Sequence, residues 1–122
     1  MEHLITIELN KDQKLIPALH EYLKGQKWKK GVILAASGSL YNVVVSNPIT
    51  FEFPPAVLPI SINEPCELVS LSGEIVQGEN TESGYRIHLH GAVSHGSGVV
   101  NGGGFKDGTV YKSIRIYVLV EE

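Results

Sequence analysis

Apolar and polar positions alternate, switch to a helical period, and then alternate again to the end of the chain. Residues 3–9, His-Leu-Ile-Thr-Ile-Glu-Leu, are short and β-rich and predict a first strand. Asn10 offers an N-cap, with Gln13 three residues later as its capping-box partner. Leu15, Leu19 and Leu23 then recur at i, i+4 and i+8, with Ile16 and Tyr22 widening the stripe, and predict an amphipathic helix. Pro17 is tolerated only in a first turn, so this helix starts late, near Lys14, or bends. Gly25 suits the position after its end, and the lysines that follow suit the negative end of its dipole.

From Gly31 the period is that of strands. Val32-Ile-Leu-Ala-Ala36 is apolar without interruption, which predicts a strand buried on both faces. Ser37-Gly38-Ser39 reads as a turn or bulge, Tyr41–Val45 as the next strand, and Asn47-Pro48 as its end. Pro54, Pro55 and Pro59 make residues 49–63 an edge strand or an irregular connection. Residues 67–76 predict a long strand with a bulge at Gly73, Gly78–Gly84 a hairpin loop, and Tyr85–His90 its returning partner. Seven glycines between 91 and 108 exceed what a plain strand carries, and Lys106-Asp107-Gly108 signals a turn. Thr109–Val120 closes the chain as a long strand.

The expected class is α+β: a single domain over 1–122, with one main helix and seven or eight mostly antiparallel strands. Hairpin-length loops dominate, and only one helix is available for a crossover. A hydrophobic content of 43% against 19% charged supports a real core. The formal net charge of −3 argues against a dedicated phosphate-binding surface. The one basic cluster is Lys24, Lys27, Lys29 and Lys30, read as a helix end and a solvated loop, with contact to DNA phosphates the alternative. Cys66 is the sole cysteine, so no intrachain disulfide forms and a reducing compartment fits. No basic segment leads into an apolar core near Met1, and no apolar run approaches the roughly 20 residues of a bilayer span. The expectation is a cytoplasmic protein with no membrane partner.

Chemistry concentrates in residues 84–105. His88 and His90 stand two apart in an alternating segment, so a strand sends both imidazoles to one face. Gly102-Gly103-Gly104 is read as a turn whose uncovered amides can cradle an anion or a carbonyl group. The candidate ligand-binding set is His88, His90, Gly102, Gly103 and Gly104, with Ser37 and Gly38 from the earlier glycine-serine turn. As a metal site, His88 and His90 give a divalent ion such as zinc two ligands, whereas a closed site takes four and a catalytic one three. His95 is the nearest substitute third. The plainer alternative is two neutral histidines on a strand face or subunit interface. Gly96–Gly102 matches neither the dinucleotide fingerprint nor a P-loop, and no serine sits in Gly-x-Ser-x-Gly. A catalytic base at His88 or His90, which would make the protein an enzyme, is the lesser alternative, because no spacing supplies it with a nucleophile or an acid/base partner.

The order of motifs resembles the PPC family, the plant and prokaryote conserved domain also found in plant AT-hook nuclear proteins. Gly31-Val-Ile-Leu-Ala-Ala-Ser-Gly-Ser-Leu40 is similar to the family's strand with a Gly-Ser-Leu turn. Glu67-Leu-Val-Ser-Leu-Ser-Gly73 is similar to its Glu-x-x-x-Leu-x-Gly strand, and His88-Leu-His90 to its His-x-His strand. Asn101-Gly-Gly-Gly-Phe105 falls where the family reads Val-Gly-Gly-His-Leu, so the family's third histidine is Gly104 here. The resemblance implies a sandwich-like α+β domain that assembles as a homotrimer and is linked to DNA and transcription. The plant relatives grip DNA through a separate Arg-Gly-Arg-Pro hook. Arg86 and Arg115 are the only arginines of this chain, and neither has that context.

Overall fold

A computed structural model describes all 122 residues. The elements are β1 (Glu2–Asn10), α1 (Leu15–Leu23), β2 (Lys30–Pro48), β3 (Val57–Ile62), β4 (Cys66–Gln77), β5 (Tyr85–His95) and β6 (Val99–Glu121). All strand pairs are antiparallel, in the order β1-β6-β5-β4-β2-β3. A further β6–β2 pairing closes the sheet on itself, so β6, β5, β4 and β2 form a ring. β1 and β3 are the outer strands. What the family resemblance describes as sandwich-like is here one curled sheet with opposed walls.

Six strands replace the expected seven or eight because two turn signals lie inside continuous strands. β2 runs straight through Ser37-Gly38-Ser39, and the register against β6 shifts around Gly38. Gly38 sits at φ +137°, and a Cβ there would collide with the carbonyl oxygen of Ser113. Glycine at this position lets β6 come close without reversing the chain. β6 likewise absorbs Lys106-Asp107-Gly108, with register shifts against Tyr41, Val44 and Val45.

Helix α1 starts late, as Pro17 requires: Pro17 is its third residue, where a missing N–H breaks no intrahelical bond. Asn10 is not the cap. Its backbone N–H donates to Gln13 Oε1 at 2.6 Å, in the turn that leaves β1. The cap position is Lys14, and the Ile16 N–H donates to Asp107 Oδ1 at 3.1 Å, so β6 satisfies a helix-end amide that no local side chain reaches. Gly25, at φ +83°, follows the helix end as expected.

The core holds 23 buried apolar residues. Leu15, Leu19 and Leu23 of α1 lie fully buried, and α1 packs on β6 and β5. Inward positions of the strands fill the rest: Ile7 and Leu9, Ile33, Leu71 and Ile75, Leu89 and Val93, and Ile114 to Val120 at alternate places. Trp28 completes one end, its backbone N–H donating to Tyr85 Oη at 2.8 Å while that hydroxyl donates to the Gln26 carbonyl. The uninterrupted apolar run of β2 does not reach the predicted burial on both faces. Ile33 is buried, but Leu34 is 54% exposed on the outer wall.

Candidate functional site: the outer face of β5

Tyr85-Arg-Ile-His-Leu-His90 folds as an alternating strand, so Leu89 points into the core while His88 and His90 point out. Their ring centroids are 4.8 Å apart, with planes tilted by 40°. Both rings are exposed, in agreement with the expected shared face. His88 lies opposite Glu74 on β4; His90 lies between Ser72 on β4 and Gly104 on β6. A shallow cleft of about 490 Å³ runs along this edge, lined by His20, Glu74, Arg86 and His88 among others. His20 comes from α1 and shares a 2.7 Å hydrogen bond between its Nδ1 and Ser83 Oγ.

The glycine run does lie beside His90, but as a strand and not as a turn. Gly102, Gly103 and Gly104 pair with Ala92, Gly91 and His90. Their role is close approach. A Cβ on Gly102 would fall 2.8 Å from the Gly91 carbonyl oxygen, and one on Gly103 would fall 2.6 Å from the Asn47 side chain. Asn47 Nδ2 itself donates to the Gly102 carbonyl at 2.8 Å. Amides in a paired strand serve the ladder first, so the expected uncovered cradle is absent. Gly104 sits directly opposite His90, on the same side of the sheet. A side chain at 104 would stand beside the His90 ring, and this chain carries only a hydrogen there.

Ser37 and Gly38 belong elsewhere. They lie opposite Arg115 and Ile114 and line a separate cleft of about 230 Å³ with Glu8, Asn10, Ser113 and Arg115. His95 is also apart. It has the opposite parity to His88 and His90 along β5 and so faces the other way. Its ring is saturated: Nδ1 is 2.8 Å from Glu64 Oε1 and Nε2 is 2.7 Å from Asn101 Oδ1. Those acceptors, Asn101 first and Glu64 next, favour the doubly protonated ring and raise its pKa above the ordinary histidine value. His95 therefore does not supply a third ligand to the His88 pair. No group of three or more His, Cys, Asp or Glu side chains stands close enough to hold a metal ion.

The sequence reading missed the Glu64–His95–Asn101 cluster and the arrival of His20 beside Arg86. Neither has a local signal, since Glu64 and His20 are brought in by distant elements. The lysine cluster is half neutralised: Lys24 pairs with Glu21 at 2.9 Å and Lys30 with Glu74 at 3.3 Å, leaving Lys27 and Lys29 exposed. Cys66 is buried and its thiol is pushed up by burial, with a smaller contribution from Glu64. It is a core side chain and not a nucleophile.

A search of curated proteins finds no match. Among solved structures, a plant- and prokaryote-conserved (PPC) protein from Pyrococcus horikoshii shares the fold with a TM-score of 0.80 and 18% identity, over 98% of this chain and 80% of that one. A metal-containing protein from Archaeoglobus fulgidus gives 0.81 and 20% over the same shares. A protein from Bacteroides thetaiotaomicron, provisionally described as DNA-binding, gives 0.77 and 19% over 97% of this chain and 78% of that one. At these identities the likeness is one of fold. The family model of the Plants and Prokaryotes Conserved domain, however, matches residues 2–122, nearly the whole sequence and every strand described above. This chain belongs to that family.

Proposed function

We propose that this chain works as a homotrimeric interaction module of the PPC type, one domain over 1–122, in a reducing cytoplasmic setting and linked to DNA-associated processes without a hook of its own. The observation that carries the proposal is an apolar row on the outside of the sheet. Leu4, Leu119 and Val32 stand opposite one another on β1, β6 and β2. Leu4 is 59% exposed, Leu34 54% and Val69 56%; Val69 sits at the β4 bulge, which falls between Leu68 and Ser70 and not at the expected Gly73, where the register against β5 is regular. A sheet face open to water normally reads polar, and the apolar row Leu4–Leu119–Val32, with Leu34 two residues on along β2, marks an interaction site. Size-exclusion chromatography with light scattering should give three chain masses; a single-chain mass at every concentration overturns the reading. The DNA link draws on the description of the Bacteroides neighbour and on exposed Lys27 and Lys29. Failure to retard duplex DNA even at low salt would remove that part alone. No helix is long and apolar enough to cross a membrane.

A second reading is a small polar ligand or a metal at the His88/His90 face. It is favoured by the adjacent rings and the cleft beside them, and the Archaeoglobus neighbour is described as metal-containing. One chain supplies two imidazoles where zinc takes three or four protein ligands, so the residues present do not complete a metal set. Elemental analysis and thermal melting with added zinc test it. Absence of metal, together with the same zinc response in His88→Ala as in the parent, would end it.

A further inference from the structure

The largest concavity of the chain lies where the β4–β5 hairpin meets the segment between α1 and β2, a cleft of about 780 Å³. Gln26 and Lys27 come from that segment; Gly78, Glu79, Ser83 and Arg86 come from the hairpin. Two hydrogen bonds tie the segments together. Gln77 Nε2 donates to the Trp28 carbonyl at 2.9 Å, and Tyr85 Oη donates to the Gln26 carbonyl at 2.8 Å. The hairpin loop is held as well. Its Gly78 N–H donates to the Gly84 carbonyl at 3.0 Å, and the Gly84 N–H donates to Thr81 Oγ1 at 3.0 Å. The spacing across the cleft is therefore set before any ligand arrives.

Two cations line this cleft, and neither is spent within the chain. Lys27 and Arg86 form no ion pair, whereas Arg115 pairs with Glu8, Lys24 with Glu21 and Lys30 with Glu74. Arg86 is nonetheless placed. Its aliphatic part lies across Gly78, where a Cβ would fall 2.8 Å from Arg86 Cγ and 3.1 Å from Nε. Against the two cations stands one carboxylate on the lining, Glu79. The other acids of this end are engaged or off the cleft: Glu21 and Glu82 act on Lys24, Glu74 holds Lys30, and Glu121 stands across from Lys30 on β6. The cleft thus keeps a positive excess in a chain whose formal net charge is −3. Neutral donors add to it, since the amides of Glu79 and Ser83 meet no acceptor within the chain.

We propose that this cleft binds a small hydrophilic oxyanion, a phosphate or carboxylate group on a molecule of metabolite size, with Arg86 as the planar clamp and Lys27 as the second charge. A guanidinium fork matches either group through two parallel hydrogen bonds. Tyr85 is the one hydrophobic residue on the lining, so the rest of the ligand is polar too. A concave site with two cations suits a small molecule; a duplex needs a row of cations on an open surface. The site adjoins the His88 cleft through Tyr85 and Arg86 but uses neither His88 nor His90. It stands independently of the homotrimer and metal readings above.

Calorimetric titration with pyrophosphate and with citrate, at fixed ionic strength and with chloride as the background anion, tests it. The parent should bind at least one of the two saturably, one per chain; pyrophosphate alone marks a phosphate site and citrate alone a carboxylate site. Arg86→Gln and Lys27→Gln should each weaken binding about tenfold or more. Glu79→Gln should strengthen it, because the lone opposing carboxylate is gone. Arg115→Gln, whose guanidinium is already paired with Glu8, should leave it unchanged. All four side chains are exposed, and circular dichroism confirms that the variants fold. Failure of both anions to bind the parent saturably overturns the proposal, and so does an Arg86→Gln protein that binds like the parent. Equal losses in Arg86→Gln and Arg115→Gln overturn it as well, since they show attraction to surface charge in general and not to this cleft.

Discussion

Three histidines share strand β5, and they have opposite fates. His88 and His90 stand on the outer wall, side by side and open to water. His95, an odd number of residues further along, faces the other side and is gripped at both nitrogens by Glu64 and Asn101. Composition cannot distinguish them. Parity along the strand can, and so can the question of which distant segment arrives to satisfy the ring. An imidazole with both nitrogens engaged is a structural clamp; one with neither engaged by protein is available for chemistry or contact.

The comparison can be broken most severely at Gly73. This residue, at φ +156°, lies opposite Leu89, and a Cβ there would collide with the His88 carbonyl oxygen. Gly73→Val should destabilise the fold by about 3 kcal/mol or more and disorder the His88/His90 pair, as read from urea unfolding. Next comes Leu89, which lies between the two outward rings but points inward and is buried. Leu89→Ala should cost about 2–4 kcal/mol by the same measurement. For the clamp the direction follows from its titration. The folded His95 holds its proton above the ordinary value of about 6.5, so its stabilisation is full below that value and fades as pH rises through the raised one. The parent should melt higher at pH 6 than at pH 8, and His95→Gln should flatten that difference while lowering the pH 6 melting point. The smallest effects belong to the open pair: His88→Ala and His90→Ala should each stay within about 0.5 kcal/mol of the parent. A loss above 2 kcal/mol in either would mean that the outer rings are part of the packing after all.

Much of this architecture is legible in the residues. The Leu15–Leu19–Leu23 stripe places the helix, Pro17 places its start, and Gly25 its end. The His-x-His spacing gives the shared face correctly, and the Pro-rich segment does become a loop and an edge strand. The glycine-rich segments mislead, because glycine serves two needs that look alike in sequence. It permits reversal of the chain, and it permits another backbone to come close. At Gly38 and Gly102–Gly104 the second need operates, and its partners, Ser113, Asn47 and Gly91, are visible only in three dimensions. The apolar run of β2 shows the converse. Val32–Ala36 reads as covered on both sides, and the sheet of one chain covers only one. The Glu64–His95–Asn101 clamp leaves no sequence trace, since it depends on a register that local pattern does not encode.

The carboxylate of Asp107 reaches back across most of the chain to the amide of Ile16, and β6 also pairs with β1, β2 and β5. During synthesis the final strand of the described elements therefore has to emerge before the helix is anchored or the ring can shut. Until then Leu15, Leu19 and Leu23 have no β6 wall to pack against. Topologies dominated by such distant pairings assemble slowly and leave sticky intermediates exposed. Nascent chains of this protein should consequently depend on chaperone cover until β6 has cleared the ribosome, and truncation within 113–121 should unravel β1 along with it.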